Sequence, residues 1–207
     1  MARRSGRRAG VVAAVVVIAF VVGGYLLVGA LGSSPRDPAP GRAGSAMRSA
    51  TGSDTDPSSA DQVPDRPKDA QPMVVRRIHD GDTVWLQATS AGPYVAGTER
   101  VKVRLIGIDT PEVQPEQCFG PEATDHLRTL IPVGSTVYVT ADRDPLDRYG
   151  RRLLYLWSAR GEFVNFDLVD GGWARPLRVP PNVRYAELFA LAGDVARDAG
   201  TGLWGAC

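Results

Sequence analysis

Four short clusters hold the residues of this chain best suited to chemistry. They are Asp80-Gly81-Asp82-Thr83, the run R-L-I-G-I-D-T-P-E from Arg104 to Glu112, Asp147-Arg148-Tyr149-Gly150-Arg151, and Arg175 to Arg178 ahead of Pro180-Pro181-Asn182. Asp82, Asp109 and Glu112 are hard oxygen donors with no Cys or His among them. Brought together by folding, they must bind a cation or take up protons. Such donors suit Ca²⁺ or Mg²⁺ rather than Zn²⁺, and the carbonyl of Thr110 is a natural further ligand for the less demanding Ca²⁺. Arg104 and Arg151 stay charged and donate paired hydrogen bonds to phosphoryl oxygens. Beside a divalent cation, two such guanidiniums form a site for a pentacoordinate phosphate. Glu112 is then free to take a proton from an attacking water. A plainer alternative stays open at this level: Asp80 and Asp82 as turn residues, Asp109 and Glu112 as loop caps, and each arginine in a surface ion pair.

The elements that must position these clusters read as follows. Met73–Ile78 and Thr83–Ala88 are two strands around the Asp80-Gly81-Asp82 turn, the glycine tolerating positive φ. Val101, Val103 and Leu105 alternate with Lys102 and Arg104, the period of a strand with one wet face. Pro121 and Glu122 suit a first helical turn, and Ala123, Leu127, Leu130 and Ile131 follow at helical spacing. Strands at Ser135–Thr140 and Leu153–Trp157 flank the charged loop Asp142–Arg152. A short helix is expected around Asn165–Asp170. Asn182 is expected to cap a last helix bearing Tyr185, Leu188, Phe189, Ala192 and Val195 on one face. The fold class is α+β, mainly β: five short strands, one interrupting helix and about three helices in all fit a five-stranded Greek-key barrel of the OB type. His79 and His126 read as structural or exposed residues, and the four tryptophans as core or shielding residues.

Composition divides the 207 residues into three segments. Residues 1–32 hold four arginines and no acid, followed by almost continuous apolar residues over 11–28. At about 1.5 Å of rise per residue this is just long enough for a bilayer-spanning helix. The basic flank places the N-terminus in the cytoplasm and the rest outside. A signal peptide cleaved near Ala30 is the alternative, and either way the main domain is exported. Residues 33–72 are rich in Ser, Pro, Asp, Gly and Ala, with five basic and six acidic residues, and read as a disordered linker. Residues 73–207 are the folded domain, with 15 Arg/Lys against 17 Asp/Glu. That balance excludes a protein that holds nucleic acid by bulk positive charge. Two cysteines exclude a four-cysteine zinc site. Outside the cell, Cys118 and Cys207 are expected to pair as a disulfide, with two free thiols as the alternative.

The ordered set of motifs resembles the staphylococcal nuclease family of thermonuclease-like domains. The matching residues are D-G-D-T at 80–83, V-R-L-I-G-I-D-T-P-E at 103–112, F-G-P-E-A at 119–123, D-R-Y-G-R at 147–151, P-N at 181–182 and G-L-W at 202–204. The resemblance covers 73–207 and none of 1–72. It implies an OB-type barrel that cleaves DNA and RNA phosphodiesters to leave 3′-phosphates, with Ca²⁺ as cofactor. It implies Asp82, Asp109 and the carbonyl of Thr110 as calcium ligands, Glu112 as the residue acting on the water, and Arg104 and Arg151 as the phosphate clamp. Arg148 and Tyr149 look like contacts to a neighbouring phosphate. Where the family's best-studied member has tyrosines, this chain reads R-P-L-R-V-P-P-N, and Arg178 is the residue placed to stack on a base. The partners implied are a DNA or RNA substrate and, if the N-terminal helix is uncleaved, a membrane; no protein partner is evident, and a monomer is expected. Competing readings are an OB-type module that binds single strands without cutting them, and a cell-surface adhesion protein.

Overall fold

The computed structural model describes residues 63–207; the expected signal or anchor over 1–32, and most of the expected linker, lie outside the described residues. Among the described residues, seven strands and four helices follow one another: β1 (Gln71–Ile78), β2 (Thr83–Ala88), β3 (Arg100–Leu105), β4 (Ile108–Asp109), α1 (Gly120–Leu130), β5 (Thr136–Thr140), β6 (Arg152–Trp157), α2 (Val164–Asp170), β7 (Arg175–Pro176), α3 (Ala186–Asp198) and α4 (Leu203–Ala206). Strands β1-β2-β3-β6-β5 close into a barrel. Its pairings are antiparallel except β3 with β6, where Arg104 lies opposite Leu153. Closure leaves the barrel itself no edge to protect, and β4 pairs with β7 in a separate two-stranded sheet. Among the described residues, no helix is long and apolar enough to cross a membrane.

Alternation decides which face is which. Met73, Val75, Val84, Leu86, Val103, Leu105, Val137 and Val139 are fully buried in the barrel interior. Against one end packs an aromatic cluster: Trp157 stacks on Phe163 with centroids 4.5 Å apart, and Tyr155 meets Tyr185 edge-on at 4.7 Å. Asn165 is wholly buried and satisfied. Its carbonyl accepts from the Leu156 N–H and its amide donates to the Ile106 carbonyl, tying α2 to β6 and to the turn after β3. Burial of an unpaired amide would be costly, so these two bonds fix where α2 docks.

Several expectations need correction. The linker was expected to run to residue 72. Residues 63–70 instead lie against the barrel: Trp157 donates its indole N–H to the Pro64 carbonyl, and the Arg66 guanidinium sits 3.9 Å from the Tyr138 ring centroid. Helix α3 starts at Ala186, and Asn182 does not cap it. Its carboxamide is drawn elsewhere, accepting from the Arg143 and Asp144 N–H groups and donating to the Asp144 carbonyl. Val195 is half exposed, because α3 buries the face carrying Phe189, Ala192, Gly193 and Ala196. A fourth helix, α4, brings Leu203 into the core. Trp85 lies on the outer face of the barrel and is only partly buried.

Candidate active site

The β1–β2 turn and the segment after β3 build the carboxylate cluster. Gly81 makes their approach possible: a Cβ there would lie 2.8 Å from the Thr110 methyl. Asp80 and Asp82 are consequently buried, at 7% and 6% exposure. The Asp80 carboxylate accepts from the Asp82 N–H at 3.1 Å. One oxygen of Asp82 accepts from the Thr83 hydroxyl at 3.0 Å; the other accepts from the Thr110 N–H at 3.0 Å and from its hydroxyl at 3.2 Å. Thr110 thus lies against Asp82 although 28 residues separate them.

Arg104 is the hub. Its Nη2 lies 3.1 Å from Asp82 and 2.7 Å from Asp109, and its Nη1 donates to the carbonyls of Leu105 and Ile108. Two carboxylates therefore converge on one point, now held by a guanidinium nitrogen. Asp109 remains largely solvent-exposed. Antiparallel pairing of β4 with β7 sets Asp109 opposite Arg175. Burial pushes the Asp82 carboxyl up to about 6; Arg104 pulls it down, nearby Asp80 adds to the rise, and the bonds from Thr110 and Thr83 oppose it. Asp80, Asp82 and Asp109 thus outnumber the single guanidinium of Arg104 among them.

The second guanidinium comes from the loop before β6. Asp147 organises it. Its carboxylate accepts from the N–H groups of Tyr149 and Arg151 at 2.9 Å, and from Arg151 Nε at 2.6 Å. Burial raises the Asp147 carboxyl, but these bonds from Arg151 and Tyr149 outweigh it and hold it below the usual range. The terminal nitrogens of Arg151 make no hydrogen bond among the described residues. Arg148 donates to the Tyr149 hydroxyl at 2.6 Å, and the Arg148 and Arg151 guanidiniums lie 4.7 and 5.4 Å from the Tyr149 ring centroid.

A cleft of about 520 Å³ joins these parts. Its lining includes Arg104, Asp144, Asp147, Arg148, Tyr149, Arg151 and Asn182 together with the apolar Leu146, Leu153, Leu177, Val179 and Pro180. Arg104 belongs both to this cleft and to the carboxylate cluster. Arg178 is not part of the lining: Leu177 and Val179 on either side of it face the cleft, and Arg178 is exposed.

Glu112 also lies outside the cleft lining. It is exposed, and its carboxylate is hydrogen-bonded to none of the described residues. Its backbone is held from both sides by Gln117, which accepts from the Glu112 N–H at 3.0 Å and donates its own N–H to the Glu112 carbonyl at 2.8 Å. Gly120 packs beneath that carbonyl, where a Cβ would come within 2.4 Å of the oxygen. Cys118, in the same loop, is disulfide-bonded to Cys207, with Cα atoms 6.0 Å apart. Sequence reasoning missed Gln117 and the organising role of Asp147, and gave Asn182 the role of a helix cap where it instead fastens the Arg143–Asp144 backbone. Only Asp147 carried a signal, its four-residue spacing from Arg151.

Among the described residues, no three Asp, Glu, His or Cys side chains converge on one point. The donor chemistry nevertheless fits a hard dication. Two carboxylates meet at one spot, Asp82 is desolvated with its affinity for protons raised, and the oxygens involved are the kind Ca²⁺ prefers. Asp82, Asp109 and the Thr110 carbonyl are the groups that would hold it.

Comparison with known proteins agrees with this geometry. The family described as staphylococcal nuclease homologue matches residues 102–206. A protein named Thermonuclease from Staphylococcus intermedius is 33% identical over 135 residues, covering 63% of this chain and 74% of that one. The Thermonuclease of Staphylococcus hyicus is 31% identical, covering 65% of this chain and 76% of its own. Endonuclease YhcR of Bacillus subtilis is 30% identical over 63% of this chain, but that match spans 11% of the relative. This chain is a member of the staphylococcal nuclease homologue family.

Proposed function

We propose that this protein is a Ca²⁺-dependent nuclease that hydrolyses DNA or RNA phosphodiesters and leaves 3′-phosphates. The observation that carries the reading is the convergence of Asp82 and Asp109 on Arg104, which itself lines a cleft together with Arg151. Relatives named thermonuclease and endonuclease support it.

A phosphodiester in the cleft would receive hydrogen bonds from the terminal nitrogens of Arg151, which Asp147 leaves unused. Guanidinium forks match phosphoryl oxygens and strengthen as negative charge builds up. Arg104 keeps Asp82 and Asp109 aligned and adds its charge beside the scissile group. When bound, Ca²⁺ would neutralise phosphate charge and make a bound water more acidic. Glu112 takes the proton from the attacking water, its carboxylate being free of competing bonds. The new P–O bond forms opposite the breaking P–O5′ bond, and solvent protonates the departing 5′-oxygen. Tyr149 and Arg148 contact the neighbouring phosphate.

The Arg-flanked apolar segment at the N-terminus supports export of the domain, either anchored with its N-terminus in the cytoplasm or released by cleavage near Ala30. The test of activity is direct. The protein is incubated with denatured DNA and with RNA, in Ca²⁺ or in chelator, and product ends are identified. Ca²⁺-dependent fragments ending in 3′-phosphate are expected. A gel shift without degradation would replace the enzyme with a binding module, and full activity in chelator would remove Ca²⁺.

A further inference from the structure

The domain carries more acids than bases, yet its first three strands carry five basic residues, Arg76, Arg77, Arg100, Lys102 and Arg104, and no acid. Register puts these side chains on one surface. Arg77 lies opposite Trp85, and Trp85 opposite Lys102; one step along, Gln87 lies opposite Arg100. Residues directly opposite in a sheet share a face, and i, i+2 residues stay on it. The interior is already taken by Val75, Val84, Leu86, Val103 and Leu105, so this row faces outward. An irregularity between Val75 and Arg77 puts two consecutive arginines on the wet side. Arg76 is oriented by a 2.9 Å bond to Gln87, and none of Arg76, Arg77, Arg100 or Lys102 is in an ion pair among the described residues.

The row begins at the active site. Arg104, Lys102 and Arg100 follow one another on the outer face of β3 at roughly 7 Å intervals, leading away from the cleft. Trp85 stands beside Lys102 with its indole only partly covered. Cations at regular spacing with an interleaved aromatic ring suit a polynucleotide single strand: its phosphates repeat, and its bases have π faces whatever the sequence. A folded acidic partner would require a shaped, apolar contact, which these side chains do not supply.

We infer that the outer face of β1–β2–β3 is an extended single-strand track, holding the nucleic-acid backbone beyond the scissile phosphate through Arg77, Lys102 and Arg100, with a base on Trp85. This rests on the nuclease reading for the direction of the strand, but it concerns binding and not bond cleavage. It explains how a domain of acidic balance retains a polyanion: the cations are concentrated on one path.

The test uses the full protein in chelator and a labelled oligothymidylate of about 16 nucleotides, read by fluorescence anisotropy. The triple variant Arg77→Ser, Arg100→Ser, Lys102→Ser removes solvent-facing charge. A control, Arg128→Ser, Arg160→Ser, Arg197→Ser, removes equal charge from α1, the turn after β6 and α3. Single-strand contacts contribute a salt slope of about −0.7 each, so the track variant should be shallower by about 2. Between about 50 and 200 mM salt, wild-type affinity then falls about 20-fold more than that of the variant. In Ca²⁺, the same variant should raise KM for the long strand and leave cleavage of a dinucleotide unchanged. Equal affinity and slope in wild type and track variant, including no binding by either, overturns the track, as does an equal loss in the control. Binding that depends on the track without any cleavage sinks the nuclease reading and leaves the track standing. Cleavage with an unchanged track variant does the reverse.

Discussion

Removing the Cys118–Cys207 bridge should destabilise the domain globally and loosen Glu112 locally. The bridge spans 89 residues. In the chain-entropy model, closing a loop of that length removes about 15 cal/mol/K from the unfolded state, or about 4–5 kcal/mol at room temperature. With a urea dependence of about 2 kcal/mol per molar, the unfolding midpoint of Cys118→Ser/Cys207→Ser should fall by about 2 M. Equilibrium urea unfolding, followed by tryptophan fluorescence with and without reductant, measures this. The double serine variant should be indifferent to reductant, while wild type in reductant should match it. The local consequence follows from where the bridge lands. Cys118 lies in the loop that Gln117 and Gly120 fasten to the Glu112 backbone. Amide exchange should therefore accelerate in 112–120 and 203–207 before the barrel opens. A loss below about 1 kcal/mol, with exchange unchanged in both segments, would refute the argument that this bridge restrains the unfolded chain and braces the loop.

Three further outcomes are expected. Glu112→Gln and Arg151→Ala should each lower kcat by about 10²–10⁴-fold, with the unfolding midpoint unchanged for the exposed Glu112 and slightly lowered for Arg151, whose loss takes a partner from Asp147; steady-state kinetics beside a melting curve checks both. Gly120→Ala should drive a Cβ into the Glu112 carbonyl, lowering kcat more than it raises KM, and an unchanged kcat would show that the loop backbone does not position Glu112. The third concerns Asp82, whose carboxyl rises from 3.8 to about 6 through burial. A raised carboxyl favours the folded state most below the unfolded value, and that contribution is lost as pH climbs through about 6. Metal-free stability should fall by up to about 3 kcal/mol from this group between pH 4 and 7, and Asp82→Asn should flatten that fall while abolishing stabilisation by Ca²⁺.

How much of this was legible follows from how local each signal is. The barrel strands were, because Val101, Val103 and Leu105 alternate with Lys102 and Arg104 and only one face can be buried. The D-G-D-T turn was, as a cluster of turn residues, but the reason for its glycine was not: Gly81 is not at positive φ, and it is required because Thr110 packs against it. Strands β4 and β7 are two residues each, too short to show a period, so the pairing of Asp109 with Arg175 could not be read. Asn182 looked like a helix cap because Asn before an apolar run usually is one. Its partners are 38 and 39 residues away, and no local pattern encodes such a bond. Residues 63–70 are poor in apolar groups and looked unstructured by composition. What holds them is supplied by the barrel, the Trp157 indole and the Tyr138 ring.

Charge shows the same distinction between an average and a placement. A formal +1 over 207 residues describes neither half of this surface. On the helices, arginines are spent on neighbours three residues away, Arg128 with Asp125 and Arg197 with Asp194, and such pairs present little net field to solvent. On β1–β3 Arg104 is paired with Asp82 and Asp109, but Arg76, Arg77, Arg100 and Lys102 have no such neighbours among the described residues, because alternation allots the intervening positions to the core. At physiological salt a charge is felt over about 8 Å. A strand lying on that face therefore feels the row beneath it and little of the acids elsewhere. Overall balance limits non-specific attraction at a distance, whereas affinity at contact is set by register. The two are independent, which is why a sequence that excludes binding by bulk charge is compatible with a basic path to the active site.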